Sequence, residues 1–178
     1  MRSSISQGTS IKVPPSKTSK KQSGTLNEQF KGLTLEQLTQ LANMTKINKH
    51  PLVPLHALPS VKKFKDSSAN DLTRSIEAFI RLTGNYADRI NNTGIYDPRT
   101  KRFRKGGTRK GIADIMASKM VEHGGRKFAV NVAIEVKVGR DKLSEHQIRI
   151  KQDIEQAGGY YIVARDWPTF IEQWDAIT

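Results

Sequence analysis

The chain contains no cysteine among its 178 residues. That excludes a disulfide framework and any thiolate-ligated zinc, and it points to a reducing compartment. No apolar run approaches the roughly 20 residues that a membrane helix needs, so no membrane partner is expected. The opening MRSSISQGTS lacks the apolar centre of a secretory signal. No Gly-x-x-x-x-Gly-Lys loop is present to cradle a nucleotide. His50, His56, His123 and His146 are scattered without ligand spacing, which argues against a zinc site. Acidic residues are also scarce, with 17 Asp/Glu against 30 Lys/Arg and a formal net charge of +13.

The basic excess is unevenly spread. Residues 1–65 carry 11 Lys/Arg and 2 Asp/Glu, and residues 99–110 carry 7 Lys/Arg and no acid; elsewhere acids slightly exceed bases. A nearly neutral body beside two cationic strips suits a polyanionic partner. Residues 1–65 read as a basic, partly disordered N-terminal extension, and residues 66–178 as the domain proper. Within the extension, Thr34 to Gln37 has capping-box form and predicts a short amphipathic helix near 35–44. Pro51, Pro54 and Pro59 keep the following stretch extended.

The domain is organised around Phe128 to Gly139, FAVNVAIEVKVG, in which Phe128, Val130, Val132, Ile134, Val136 and Val138 alternate with small or polar residues. This is the period of a strand with one face in the core. Glu135 and Lys137 then project together from the other face, either as a structural ion pair or as half of a metal-dependent phosphodiesterase site. Upstream lies Gly111-Ile112-Ala113-Asp114-Ile115. A hairpin turning at His123-Gly124-Gly125-Arg126 brings the Asp114 strand beside the Glu135 strand. Downstream, Ser144-Glu145-His146-Gln147 opens a helix over 145–157, with Ile150, Ile154 and Ala157 on its buried face. Ser68 to Asp71 caps an earlier helix striped by Leu72, Ile76, Phe79 and Ile80. Strands are predicted at Tyr86 to Ile90 and Tyr160 to Arg165, and Asp166-Trp167-Pro168 starts a closing helix with Phe170, Ile171 and Trp174 inward. The sum is an α/β fold, a mixed sheet flanked by helices.

An aspartate, then Glu-x-Lys on the next strand, then a helix bearing glutamine resembles the PD-(D/E)XK nuclease superfamily. The resemblance is to its VRR-NUC and Holliday-junction-resolvase-like branch and covers about Asn70 to Trp174. One departure is that Ala113 stands where a proline often precedes the aspartate. The resemblance implies a restriction-endonuclease-like fold and a metal-dependent endonuclease. Its substrate would be DNA, branched or flapped, with RNA as the alternative, in recombination, repair or phage DNA processing. It also implies Asp114, Glu135, Lys137 and Gln147 as catalytic residues. Mg²⁺, or Mn²⁺, would be held by Asp114, Glu135, the carbonyl of Val136 and an acid from the first domain helix. Glu77 is the candidate for that acid, with Asp71 competing. Hard oxygen ligands are what Mg²⁺ prefers, and an amine such as Lys137 can orient water or offset charge in the transition state.

Arg89 and Asn91 extend the match through an Arg-x-Asn pattern, and the loop residues Lys101, Arg102, Arg104, Lys105, Arg109 and Lys110 are expected to meet phosphates. Phe103, within that loop, either stacks on a base or pins the loop to the core, and pinning is expected. Gln147 either faces the site or caps its own helix through Ser144. A two-fold dimer suits cleavage of a branched substrate. The location expected is intracellular, cytoplasmic or nucleoid-associated, or a virion if the chain is of phage origin. The rival reading is a nuclease-like fold without catalysis, kept as a nucleic-acid-binding or virion-associated protein.

Overall fold

The computed structural model describes residues 28–90, 95–104 and 109–178. Residues 1–27 of the basic extension expected over 1–65 therefore lie outside the described residues. The helices are α1 (Leu35–Lys49), α2 (Ala69–Leu82), α3 (Glu145–Gln156) and α4 (Trp167–Asp175). Each begins on a side-chain cap: Thr34, Ser68, Ser144 and Asp166 accept hydrogen bonds from the backbone N–H of Gln37, Asp71, Gln147 and Thr169. These caps satisfy donors that a helix start would otherwise leave open. α1 runs past the predicted end near residue 44, because nothing breaks it before Pro51, which excludes helical backbone at His50.

The strands are β1 (Tyr86–Arg89), β2 (Ile95–Asp97), β3 (Arg102–Arg104), β4 (Ile115–His123), β5 (Arg126–Val136) and β6 (Tyr160–Ala164). Four of them form one sheet in the order β1-β4-β5-β6, and β2 pairs with β3 separately. β4 pairs antiparallel with both β1 and β5, while β6 returns parallel to β5 after α3. The result is an α/β chain with a mixed four-stranded sheet between helices. At the β4–β5 turn, Gly124 and Gly125 have φ of 58° and 75°, which a two-residue hairpin of the matching twist requires.

One sheet face packs under α1, α2 and α4. There Phe79 meets Trp167, Phe170 and Trp174 edge-on, with ring centroids 5.6, 5.8 and 6.2 Å away. Leu38 of α1 is fully buried in this same core, and the Trp167 indole donates to Leu33 O at 2.7 Å. The segment from Glu28 to Lys65 is thus built into the fold, and the boundary expected after residue 65 does not separate it from the core. The opposite face packs under α3, around Ala113, Ala133, Ile150 and Tyr161.

The burial expected along all of β5 begins only at Val132, and Phe128 is exposed. β6 reaches β5 only over Val132–Val136, so the outer half of the β4–β5 hairpin extends beyond the strands that would cover it. Ala157 is exposed as well, since α3 ends at Gln156. Among the described residues no helix is long and apolar enough to cross a membrane.

Candidate functional site

Ile134 and Val136 face the aromatic core, so strand alternation turns Ala133 and Glu135 toward α3. Immediately after β5, the Lys137 N–H donates to Ala164 O at 2.9 Å. Its ammonium reaches back to Glu135, with Nζ 2.9 Å from Oε1 and the two side chains 15% and 3% exposed. Asp114 stands just before β4, across from the end of β5. Its carbonyl accepts from Ile90 N at 2.8 Å, and its Oδ2 accepts from Val136 N at 3.0 Å. The backbone of the residue after Glu135 therefore holds the Asp114 carboxylate.

The close approach of this corner to α3 depends on Gly111. Its φ is +87°, and a Cβ built there would lie 2.7 Å from the backbone carbonyl carbon of His146. Only glycine fits both conditions.

The two readings of Gln147 turn out to be compatible. Its Oε1 accepts from Ser144 N at 2.9 Å and completes the capping box. Its Nε2 donates to Glu135 Oε1. One amide thus fixes the start of α3 and ties it to the acid on β5.

Glu135 Oε1 takes both the lysine and the glutamine, whereas its buried Oε2 has no hydrogen-bond partner. Burial pushes the Glu135 carboxyl above its ordinary range; the hydrogen bond from Lys137 opposes this, and the negative Asp114 adds to it. Tyr161 on β6, 7% exposed, also leaves its hydroxyl without a partner. Burial, followed by the charges of Glu135 and Asp114, pushes this phenol up. The sequence reading missed Tyr161, because Tyr-Tyr-Ile-Val-Ala reads simply as an apolar strand. The available signal was β5–β6 pairing, which sets Tyr161 opposite Ala133, two residues from Glu135 on the same face.

Two hard carboxylates, one just before β4 and one on β5, the latter with a buried oxygen that receives no donor, are the kind of ligand that a small divalent cation takes. Among the described residues no group of three or more His, Cys, Asp or Glu is placed to hold a metal. Glu77, expected as a further ligand, instead pairs with Arg81 at 2.9 Å, one helical turn on. It belongs to α2, whose apolar stripe packs on the face opposite α3. Asp71 accepts from the hydroxyls of Ser67 and Ser68 at 3.0 and 2.9 Å, which hold its carboxyl below the usual range, and so it belongs to the α2 cap. Val136 contributes its N–H to Asp114, as above.

The basic residues divide. Arg89 donates to Asn70 Oδ1 at 2.8 Å, and Arg109 pairs with Asp153 of α3 at 2.7 Å. Arg102 and Arg104 form β3, Lys101 occupies the turn before it with φ of 51°, and Lys110 is exposed. Asn91 and Lys105 lie outside the described residues. The stretch read as a loop is in part a hairpin, in which Tyr96 pairs across from Phe103. Their rings stand 5.3 Å apart, 51% and 72% exposed. Phe103 is therefore not pinned to the core; strands this short bury it only against its cross-strand neighbour. Comparison of the chain with protein-family models, with curated proteins and with solved structures gives no match.

Proposed function

We propose that this chain is a divalent-cation-dependent endonuclease of restriction-endonuclease-like fold that hydrolyses DNA phosphodiesters at branched or flapped structures. The observation that carries this reading is the uneven use of the Glu135 carboxylate. An ion pair kept for stability satisfies its buried oxygens. Here both donors converge on Oε1, Oε2 is left without a partner, and the carboxyl as a whole feels the negative charge of Asp114.

Bound Mg²⁺ or Mn²⁺ would supply Lewis acidity and a water acidic enough to attack near neutral pH. Asp114, Glu135 and the Val136 carbonyl are the oxygens that would hold it. The Val136 N–H keeps Asp114 oriented, and Gln147 keeps Glu135 oriented from the start of α3. Lys137 retains some exposure while touching Glu135, so its ammonium can meet a non-bridging phosphate oxygen or orient the attacking water. Lys101, Arg102, Arg104, Lys105 and Lys110 would hold neighbouring phosphates, with Arg89, Asn91 and Arg109 at the margins, and binding should weaken as salt rises. The exposed Tyr96–Phe103 pair offers ring faces to unpaired bases, which favours branched or flapped substrates over uniform duplex. RNA with unpaired bases is the alternative substrate. A two-fold dimer would match a symmetric branch point, in a cell or in a phage.

One observation favours the rival, a nucleic-acid-binding protein without catalysis: Glu135 is almost wholly covered, which restricts the entry of a cation. Incubation of flapped and fully paired DNA with Mg²⁺ or with chelator separates the two. The nuclease cuts the flap only with the cation, and Lys137→Met remains folded but loses activity by about 10²- to 10⁴-fold, the size of a lost proton-transfer or charge-stabilising group. DNA that is shifted in a gel but never cut, with Mg²⁺ or Mn²⁺, establishes the binder.

A further inference from the structure

Tyr161 has no task in the site as described above. β6 runs parallel to β5 with Tyr161 opposite Ala133 and Val163 opposite Glu135, and the ring packs with Ala113, Ala133 and Ile150 under α3. A buried tyrosine hydroxyl ordinarily finds a partner. Phenylalanine would fill the same apolar layer and leave nothing unmet. In that layer, however, a hydroxyl donor on Tyr161 and a carboxylate acceptor on Glu135 are both buried and both open. They are not bonded to each other, although the phenol senses the charges of Glu135 and Asp114. A donor and an acceptor left open together are accounted for by a third body that engages both.

We propose that Tyr161 is a positioning residue whose hydroxyl donates a hydrogen bond to a ligand oxygen seated beside Glu135 and Asp114. The inference rests on the nuclease reading and extends its site to β6. The oxygen is either a water carried by the cation or a non-bridging oxygen of the scissile phosphate. Burial and the two nearby acids keep the phenol protonated, so it acts as a donor and not as a base or nucleophile.

Tyr161→Phe removes that single oxygen, and three measurements on the full chain decide the matter. Without divalent cation, the variant should melt at the same temperature as the parent or higher, because a buried group without a partner has been removed. Calorimetric titration with Mn²⁺ alone should show affinity weakened by about tenfold or more, as for other groups that orient metal ligands, if the oxygen is a cation-borne water. If it is a phosphate oxygen, Mn²⁺ affinity is unchanged and binding of flapped DNA in Ca²⁺ weakens instead. Parent-like affinity in both titrations overturns the proposal. A lower melting temperature without cation also overturns it, because the hydroxyl would then be serving a structural water. A parent protein that binds no Mn²⁺ removes the cation site itself and, with it, this extension.

Discussion

On the face under α1, α2 and α4, the buried charge is Lys119, and on the face under α3 it is Glu135. Lys119 donates to Trp174 O at 2.6 Å and Ile177 O at 2.8 Å, with its ammonium 5.4 Å from the centre of the Trp174 ring. Burial holds this lysine below its ordinary range, with Asp175 opposing the shift. Both buried charges are therefore perturbed, and perturbation alone does not tell a site from a staple. The difference lies in unused bonding capacity. Two of the lysine's three donors go to carbonyls at and just after the end of α4, and the ammonium lies over the Trp174 ring. The glutamate and its neighbour Tyr161 leave an acceptor and a donor open. Arg74 Nε is the other such buried atom among the described residues, and it belongs to a guanidinium that already donates to Lys63 O and lies over the Phe64 ring.

If the first face is purely structural, Lys119→Met should cost about 1.5–3 kcal/mol, the range for hydrogen bonds made by a charged group. The melting temperature should fall by about 2–4 °C per kcal/mol for a chain of this length. Cation-dependent cleavage per folded molecule should stay at the parental level; a drop would erase the functional contrast between the faces.

The α3 side can be divided further through its cap. Ser144→Ala and Gln147→Ala should each cost about 1 kcal/mol in a denaturant titration, as lost caps do. Only Gln147→Ala also removes the donor to Glu135, so it alone should slow cleavage. Equal activity in the two variants would reduce Gln147 to a capping residue.

The smallest effect expected is one of pH. Glu135 titrates above its unfolded value in the folded chain, so its contribution to stability is fully present below about pH 4.5 and is lost as pH rises through the raised folded value. Glu135→Gln lacks this loss. In cation-free buffer it should melt above the parent at pH 7, with the gap closing as the pH falls through the raised folded value towards 4.5. A gap that is constant over this range would show that the buried carboxylate carries no such penalty.

Much of the scaffold was legible because its signals are local. Capping residues at Thr34, Ser68, Ser144 and Asp166, the 3.6-residue stripe on α2 and the Gly124-Gly125 turn each act within a few residues. Asp114, Glu135 and Lys137 were legible as a cluster because the hairpin fixes their register. What was hidden depends on contacts distant in sequence. Leu38 joins α1 to a core assembled mostly from residues after Leu72, and Tyr161 gains its neighbours only when β6 docks on β5. Glu77 was misjudged because position on a helix flank does not say which sheet face the helix covers. The β2–β3 hairpin was hidden by strands three residues long, too short for a period to show. Lys119 had a signal, since it falls two residues after Ala117 and four after Ile115, on the positions β4 buries.

The proposed divalent site is tested by following the melting temperatures of the parent and of Asp114→Asn as Mg²⁺, and then Mn²⁺, is raised. A ligand that binds only the folded chain stabilises it by RT ln(1 + [L]/Kd). A cation between Asp114 and Glu135 raises the parent by a few degrees and leaves Asp114→Asn where it was. A parental melting temperature indifferent to both ions, or the same rise in both proteins, would contradict a metal site on the α3 face.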